Sequence, residues 1–209
     1  KFDDFVALDH VSLQIPKGAF VTLLGPSGCG KTTLIQLLLR FYDADSGMIR
    51  IDGDDVRSIP LDILRRKFGI VFQNDFILAD SIRENIAFGR NINDDDVAKS
   101  IKNAQAKDFI NGLEDGVSHR LAARGTNVSG GQRQRILISR ALADEPEILI
   151  LDDSSSALDY KTDASLRRAV SKSYSDTTTV IVAQRISSIS HADLILVMDN
   201  GKIVGRGTH

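Results

Sequence analysis

The amino-acid sequence predicts an α/β fold: a parallel β-sheet covered by helices, an N-terminal antiparallel β-subdomain, and an inserted α-helical subdomain. Three observations carry this expectation. Short apolar runs bounded by turn residues recur near both ends of the chain. One of them, Ile148–Leu151, consists only of apolar residues, as in a parallel strand buried on both faces. Between the two strand-rich parts, from about Asn74 to Leu142, the periodicity is helical.

In chain order, Val11–Ile15 reads as a strand, Pro16-Lys17-Gly18 as a turn and Phe20–Leu24 as a second strand. A glycine-rich loop and a helix from about Lys31 to Phe41 come next. Gly47–Asp52 is a short strand closed by the hairpin-type turn Asp52-Gly53, and Phe68–Phe72 is another strand. Helical spacing is clear in Asp94–Ala106. After Ile148–Leu151, a helix around Ala164–Val170 precedes strands at Thr178–Ala183 and Leu194–Met198. Strand, helix, strand in this order argues a parallel sheet with helical crossovers. No linker divides the chain, so residues 1–209 are expected to form one domain, with its core at 1–73 and 141–209 and a helical subdomain at about 74–140.

Composition narrows the function classes. The 209 residues are 42% hydrophobic, enough for a sizeable core and against wholesale disorder. The net charge is −2 and no long basic run occurs, so a sequence-blind grip on nucleic acid has no support. The single cysteine, Cys29, excludes an intrachain disulfide. No apolar run has the length of a membrane span, and no signal peptide opens the chain. Any membrane role is therefore expected to come through a partner or a further segment, with no direct insertion by this one.

Gly25-Pro26-Ser27-Gly28-Cys29-Gly30-Lys31-Thr32 fits G-x-x-x-x-G-K-[ST] between a strand and a helix. Gly28 and Gly30 let backbone N–H groups turn inward as an anion nest, with the helix N-terminus behind them. Lys31 can reach the β- and γ-phosphates, Thr32 can offer its hydroxyl to Mg²⁺, and Thr33 completes the cradle. The expected ligand is ATP. The strand Ile148–Leu151 delivers Asp152 and Asp153 to the edge beside this loop. There Asp152 can hold Mg²⁺ through its waters and Asp153 can act on the attacking water. A second glycine turn, Ser129-Gly130-Gly131-Gln132, opens another helix. Alone it reads as an ordinary helix cap. Beside the first nest it suggests a dimer, in which each subunit's turn caps a nucleotide held by the other's loop.

These motifs together resemble the nucleotide-binding domain of ATP-binding cassette (ABC) transporters, in order and over essentially the whole chain. In that frame residues 25–32 are the Walker A loop, Ile148–Asp152 the Walker B strand and Ser129–Gln132 the signature. The resemblance implies a P-loop NTPase core and makes Gln73 the Q-loop sensor of Mg²⁺ and the γ-phosphate. Ser156-Ala157-Leu158-Asp159 is similar to the D-loop, and residues 201–209 to the family's C-terminal strand and turn. Phe41-Tyr42-Asp43, Asn85-Ile86 and Ala123-Arg124-Gly125 look like exporter subunits rather than importers.

Three positions depart from the family pattern. Asp153 stands where the family has a catalytic glutamate. The lost methylene withdraws the carboxylate by about 1.5 Å, and a misplacement of about 1 Å can cost on the order of a hundredfold in rate. Gln184 stands where the family has a switch histidine, and an amide cannot carry imidazolium charge. The expected adenine-stacking aromatic falls at or before residue 1, leaving Phe2 or Phe5 to stack on adenine or to pack against a strand. The chain reads as a domain cut from a longer protein.

The resemblance thus implies an ATPase that drives export, on the cytoplasmic side of a cell membrane, beside transmembrane domains and a second nucleotide-binding domain. The departures suggest the degenerate-site half of a heterodimer, whose non-identical partner carries glutamate and histidine at the catalytic positions. The rival readings are a soluble ABC-type ATPase of chromosome maintenance or translation, and a regulatory ATP-binding module.

Overall fold

In a computed structural model of the chain, residues 6–152, 157–183 and 192–208 are described. The run Phe20–Leu24 forms β1, and the glycine loop after it opens α1, Lys31–Leu38. Arg50–Ile51 (β2) and Asp54–Asp55 (β3) pair antiparallel around Asp52 and Gly53, both at positive φ as a tight hairpin requires. Helix α2, Leu61–Arg66, leads into β4, Phe68–Val71. Three helices follow: α3, Ile82–Ala87; α4, Asp94–Asn103; and α5, Lys107–Asn111. Helix α6 spans Gly130–Leu142 and β5 spans Ile148–Asp152. Helix α7, Tyr160–Ser173, then β6, Thr178–Ala183, β7, Leu194–Asp199, and β8, Lys202–Gly207, complete the order.

Six strands make one mixed sheet in the order β4-β5-β6-β1-β7-β8. All neighbours are parallel except β7 and β8, which turn back on each other at Asn200 and Gly201. Apolar clusters cover both faces. Leu149 and Leu151 of β5 pack with Ile136 and Leu137 of α6 and Leu166 of α7. Ile150 points the other way and packs with Ile35 of α1. The unbroken apolar run therefore marks a strand buried on both sides, and each such side chain contributes about 1.5–3 kcal/mol on burial.

Local chemistry sets the helix starts. Ser81, Asn93, Ser129 and Asp159 cap α3, α4, α6 and α7 with their side-chain oxygens. Asp94, Asp95 and Asp96 in the first turn of α4 also suit its N-terminal dipole.

Four element boundaries differ clearly from those expected, the first being the helix expected to reach about Phe41, which ends at Leu38 because Arg40 adopts a left-handed conformation. Val11–Ile15 is not a strand, although exposure alternates along it and Leu13 and Ile15 pack on the core. The antiparallel pairing near the N-terminal end is that of β2 with β3, and Gly47–Asp52 contributes only Arg50 and Ile51 to it. The helix expected over Asp94–Ala106 stops at Asn103, because Gln105 adopts a left-handed conformation.

Candidate functional site

The parallel register brings several chain segments to one edge of the sheet. Leu24 at the end of β1 pairs with Ala183 at the end of β6. Asp152 at the end of β5 pairs with Val182, and Val71 at the end of β4 pairs with Leu151. The glycine loop, Asp152 and Gln73 therefore leave the sheet at the same carboxyl-terminal edge, where ligands of open α/β sheets bind.

Within the loop, Gly25, Gly28 and Gly30 all have positive φ, and Gly30 is the N-cap of α1. Gly25 has a second constraint, since a Cβ there would lie 2.2 Å from the Met198 carbonyl oxygen and 2.7 Å from Cys29 Sγ. Only glycine lets the loop leave β1 so close to β7. Pro26, Ser27 and Gly28 are exposed at the tip, while Cys29 is buried. Lys31 is buried too, at 7% exposure, and its ammonium curls back into the loop. Lys31 Nζ donates to the carbonyl oxygens of Gly25 at 2.7 Å and Pro26 at 2.8 Å, and to Cys29 Sγ at 3.3 Å. The lysine thus holds the loop in shape with its charge placed inside the cradle.

Thr32 Oγ1 donates to Asp152 Oδ2 at 3.3 Å, which brings the proposed Mg²⁺ oxygens of both motifs together. Asp152 is 4% exposed. Among the described residues no group of three or more His, Cys, Asp or Glu converges on a point. A hydroxyl and a carboxylate without a protein cage fit Mg²⁺, a hard cation that usually takes one or two protein oxygens and completes its shell with phosphate and water. Thr33 follows on α1, and Gln73 lies exposed just past β4.

Ser129 and Gln132 form a complete capping box. Ser129 Oγ accepts from Gln132 N at 3.2 Å, and Gln132 Oε1 accepts from Ser129 N at 2.9 Å. The ordinary cap and the anion site coexist here. Ser129 and Gly130 are exposed at the N-terminus of a helix 13 residues long. Gly131 lies beside the Ala157 carbonyl, where a Cβ would make a 3.2 Å contact.

Asp153 and Gln184 lie outside the described residues, as do Phe2, Phe5, Ser156 and His209. Of the D-loop segment, Asp159 caps α7. It accepts from the Thr162 hydroxyl at 2.7 Å and the Thr162 amide at 3.0 Å, which holds its carboxyl below the usual range. The sequence reading does not anticipate this cap, although Asp159 before the helical run beginning at Tyr160 was a legible signal. Nor does it anticipate that Lys31 holds its own loop.

A strand-loop-helix phosphate cradle and an acidic strand end on one sheet edge, with a separate glycine turn at the head of α6, define an ABC-type nucleotide-binding domain. The ABC transporter family matches residues 8–156, and the chain belongs to that family as its ATP-binding, ATP-hydrolysing domain. Over 97% of its length it is 46% identical to an uncharacterised ABC transporter ATP-binding protein, YknU, of Bacillus subtilis, covering 35% of that protein. It is 43% identical, with the same coverage, to an ATP-dependent lipid A-core flippase of Vibrio parahaemolyticus. A solved structure of a bacterial Atm1-family ABC exporter with ATP bound superposes with a TM-score of 0.93 at 38% identity, covering 97% of this chain and 36% of that one. The chain thus spans about a third of the length of these relatives. Among the described residues no helix is long and apolar enough to cross a membrane.

Proposed function

We propose that this chain is the motor domain of an ABC exporter, working on the cytoplasmic side of a membrane beside transmembrane domains carried elsewhere. The observation that carries the reading is the buried Lys31 ammonium inside the glycine loop, with the Thr32–Asp152 pair beside it. Around Mg·ATP, residues 25–33 hold the phosphates. Thr32, Gln73 and Asp152 hold the metal, whose role is to neutralise charge on the phosphates. The stretch 74–140 acts as a helical subdomain that passes closure to the membrane part.

Two such domains dimerise head-to-tail, each nucleotide lying between one subunit's loop and the other's Ser129–Gln132 turn. The exposed helix head at Ser129 supports this, because the turn is available to a second molecule while already capped within its own. Asp153 and Gln184 make this chain's own site slow, and Ser129 completes a faster site on a non-identical partner. The sequence similarity to export and flippase proteins favours transport over a soluble role in chromosome maintenance or translation.

The test is a disulfide across the dimer. A cysteine at Ser129, in a Cys29→Ala background, is paired with one in the glycine loop of the co-purified full-length partner. ATP should raise the yield of the cross-linked species severalfold. A yield indifferent to ATP would refute head-to-tail closure.

A further inference from the structure

An arginine within the buried stretch Ile136–Leu142 of α6 needs a set of partners. Arg140, with its side chain 8% exposed, has a partner for each of its three guanidinium nitrogens. Nε donates to the Asn85 carbonyl at 2.8 Å. Nη1 donates to the Phe76 carbonyl at 3.0 Å and to Asp75 Oδ1 at 3.3 Å, and Nη2 donates to Asn85 Oδ1 at 3.3 Å. The Phe88 ring covers the guanidinium at 4.2 Å. Burial pulls the Arg140 pKa down and Asp75 opposes the shift. Asn85, fully buried, is itself tied to the chain after β4. It accepts from Leu78 N at 2.8 Å and donates to the carbonyls of Leu78 at 3.0 Å and Ser81 at 2.9 Å.

A second set of ties runs beside the first. Leu121 N donates to the Asp80 carbonyl at 2.8 Å, Ile82 N to that of His119 at 3.0 Å, and Arg124 N to that of Ile77 at 3.2 Å. The segment just beyond Gln73 is therefore fastened to the chain approaching the signature turn, and through Arg140 to the helix that the turn opens. An apolar side chain would fill this place at a lower desolvation cost. A planar fork reaching two carbonyls, a carboxylate and an amide instead fixes one relative placement of the two elements.

We propose that Arg140 is a positioning residue that couples Gln73 to the Ser129 turn. The two move as one body, so that seating the turn on the partner's nucleotide also sets where Gln73 sits in this chain's own site. The proposal rests on the roles given above to Gln73 and Ser129.

The test is steady-state ATPase of the full-length protein carrying Asp153→Glu and Gln184→His, co-purified with a partner whose catalytic glutamate is replaced by glutamine, so that the partner's loop holds ATP and turnover reports this chain's own site. The variants are Arg140→Met, Arg140→Lys and Asp75→Asn, each in this parent and in the Gln73→Ala background. Arg140→Met should lower kcat roughly tenfold, within the usual range of coupling between sites, with KM for ATP little changed. Arg140→Lys and Asp75→Asn should fall between it and the parent protein. In the Gln73→Ala background the same substitutions should add less than about twofold, because the residue they act through is gone. Effects that multiply in full across the two backgrounds would overturn the coupling and leave the Gln73 assignment standing. A Gln73→Ala protein with the kcat of the parent would overturn both. Should Arg140→Met fail to fold, Arg140→Lys and Asp75→Asn carry the same comparison.

Discussion

Replacing Lys31 by methionine removes the three hydrogen bonds its ammonium makes to Gly25, Pro26 and Cys29. Hydrogen bonds to charged groups are worth about 1.5–3 kcal/mol each, but the three share one ammonium and one loop, so they do not add. The free protein should lose about 2 kcal/mol of stability, the value of a single such bond. ATP binding should weaken separately. A phosphate must draw the ammonium away from the two carbonyls, so the gain on binding is the difference between an anionic and a neutral acceptor. That difference is about 2–3 kcal/mol in a largely buried site, or roughly 30- to 150-fold in Kd. Calorimetric titration with ATP, ADP and AMP, alongside thermal melting of the free protein, reads both effects. Affinity should fall for ATP and ADP and hardly at all for AMP, whose phosphate lies short of Lys31. Equal losses for all three nucleotides would refute the placement of Lys31 on the terminal phosphates. An unchanged melting temperature would refute its role in holding the loop.

Two further predictions concern close packing. A Cβ on Gly69 of β4 would lie 2.1 Å from the Ala141 carbonyl oxygen, against about 3.4 Å for ordinary contact. Gly69→Ala must push α6 off the sheet and should cost about 1–3 kcal/mol, read by urea denaturation; a midpoint at the native value would contradict the close approach. Cys29 is 3% exposed and lies against the Lys31 ammonium. Its alkylation should therefore be slow, be suppressed by ATP, and abolish ATP binding once complete; full binding by the quantitatively modified protein would contradict its place in the cradle.

The parts most legible in the sequence are those where one physical rule acts alone. Thr178–Ala183 is apolar enough for two-faced burial, and the strand has the expected bounds. The glycine loop needs positive φ and a helix behind it, and both are present. The strand reading of Val11–Ile15 fails because a short apolar run before a turn reports burial, which does occur there, and not a ladder partner, which depends on where other strands lie. The Arg140 cluster was invisible for a related reason. A charged residue in an apolar helical stretch signals a buried partner, but that partner is Asp75, 65 positions away and brought close only by the fold. The contact of Thr32 with Asp152 also joins distant residues, yet it was anticipated, since two motifs that end parallel strands on one edge must meet there.

Under the proposed function, the glycine loop of this chain holds ATP while the faster chemistry belongs to a partner's loop. Turnover is measured in the co-purified full-length complex carrying Asp153→Glu and Gln184→His together, with the partner's catalytic glutamate replaced by glutamine so that only this chain's site contributes. Restoring the longer carboxylate and the imidazole should raise the steady-state rate by roughly tenfold or more, since a misplacement of about 1 Å can cost on the order of a hundredfold. A rate that is unchanged or lowered, with ATP binding intact, would contradict the claim.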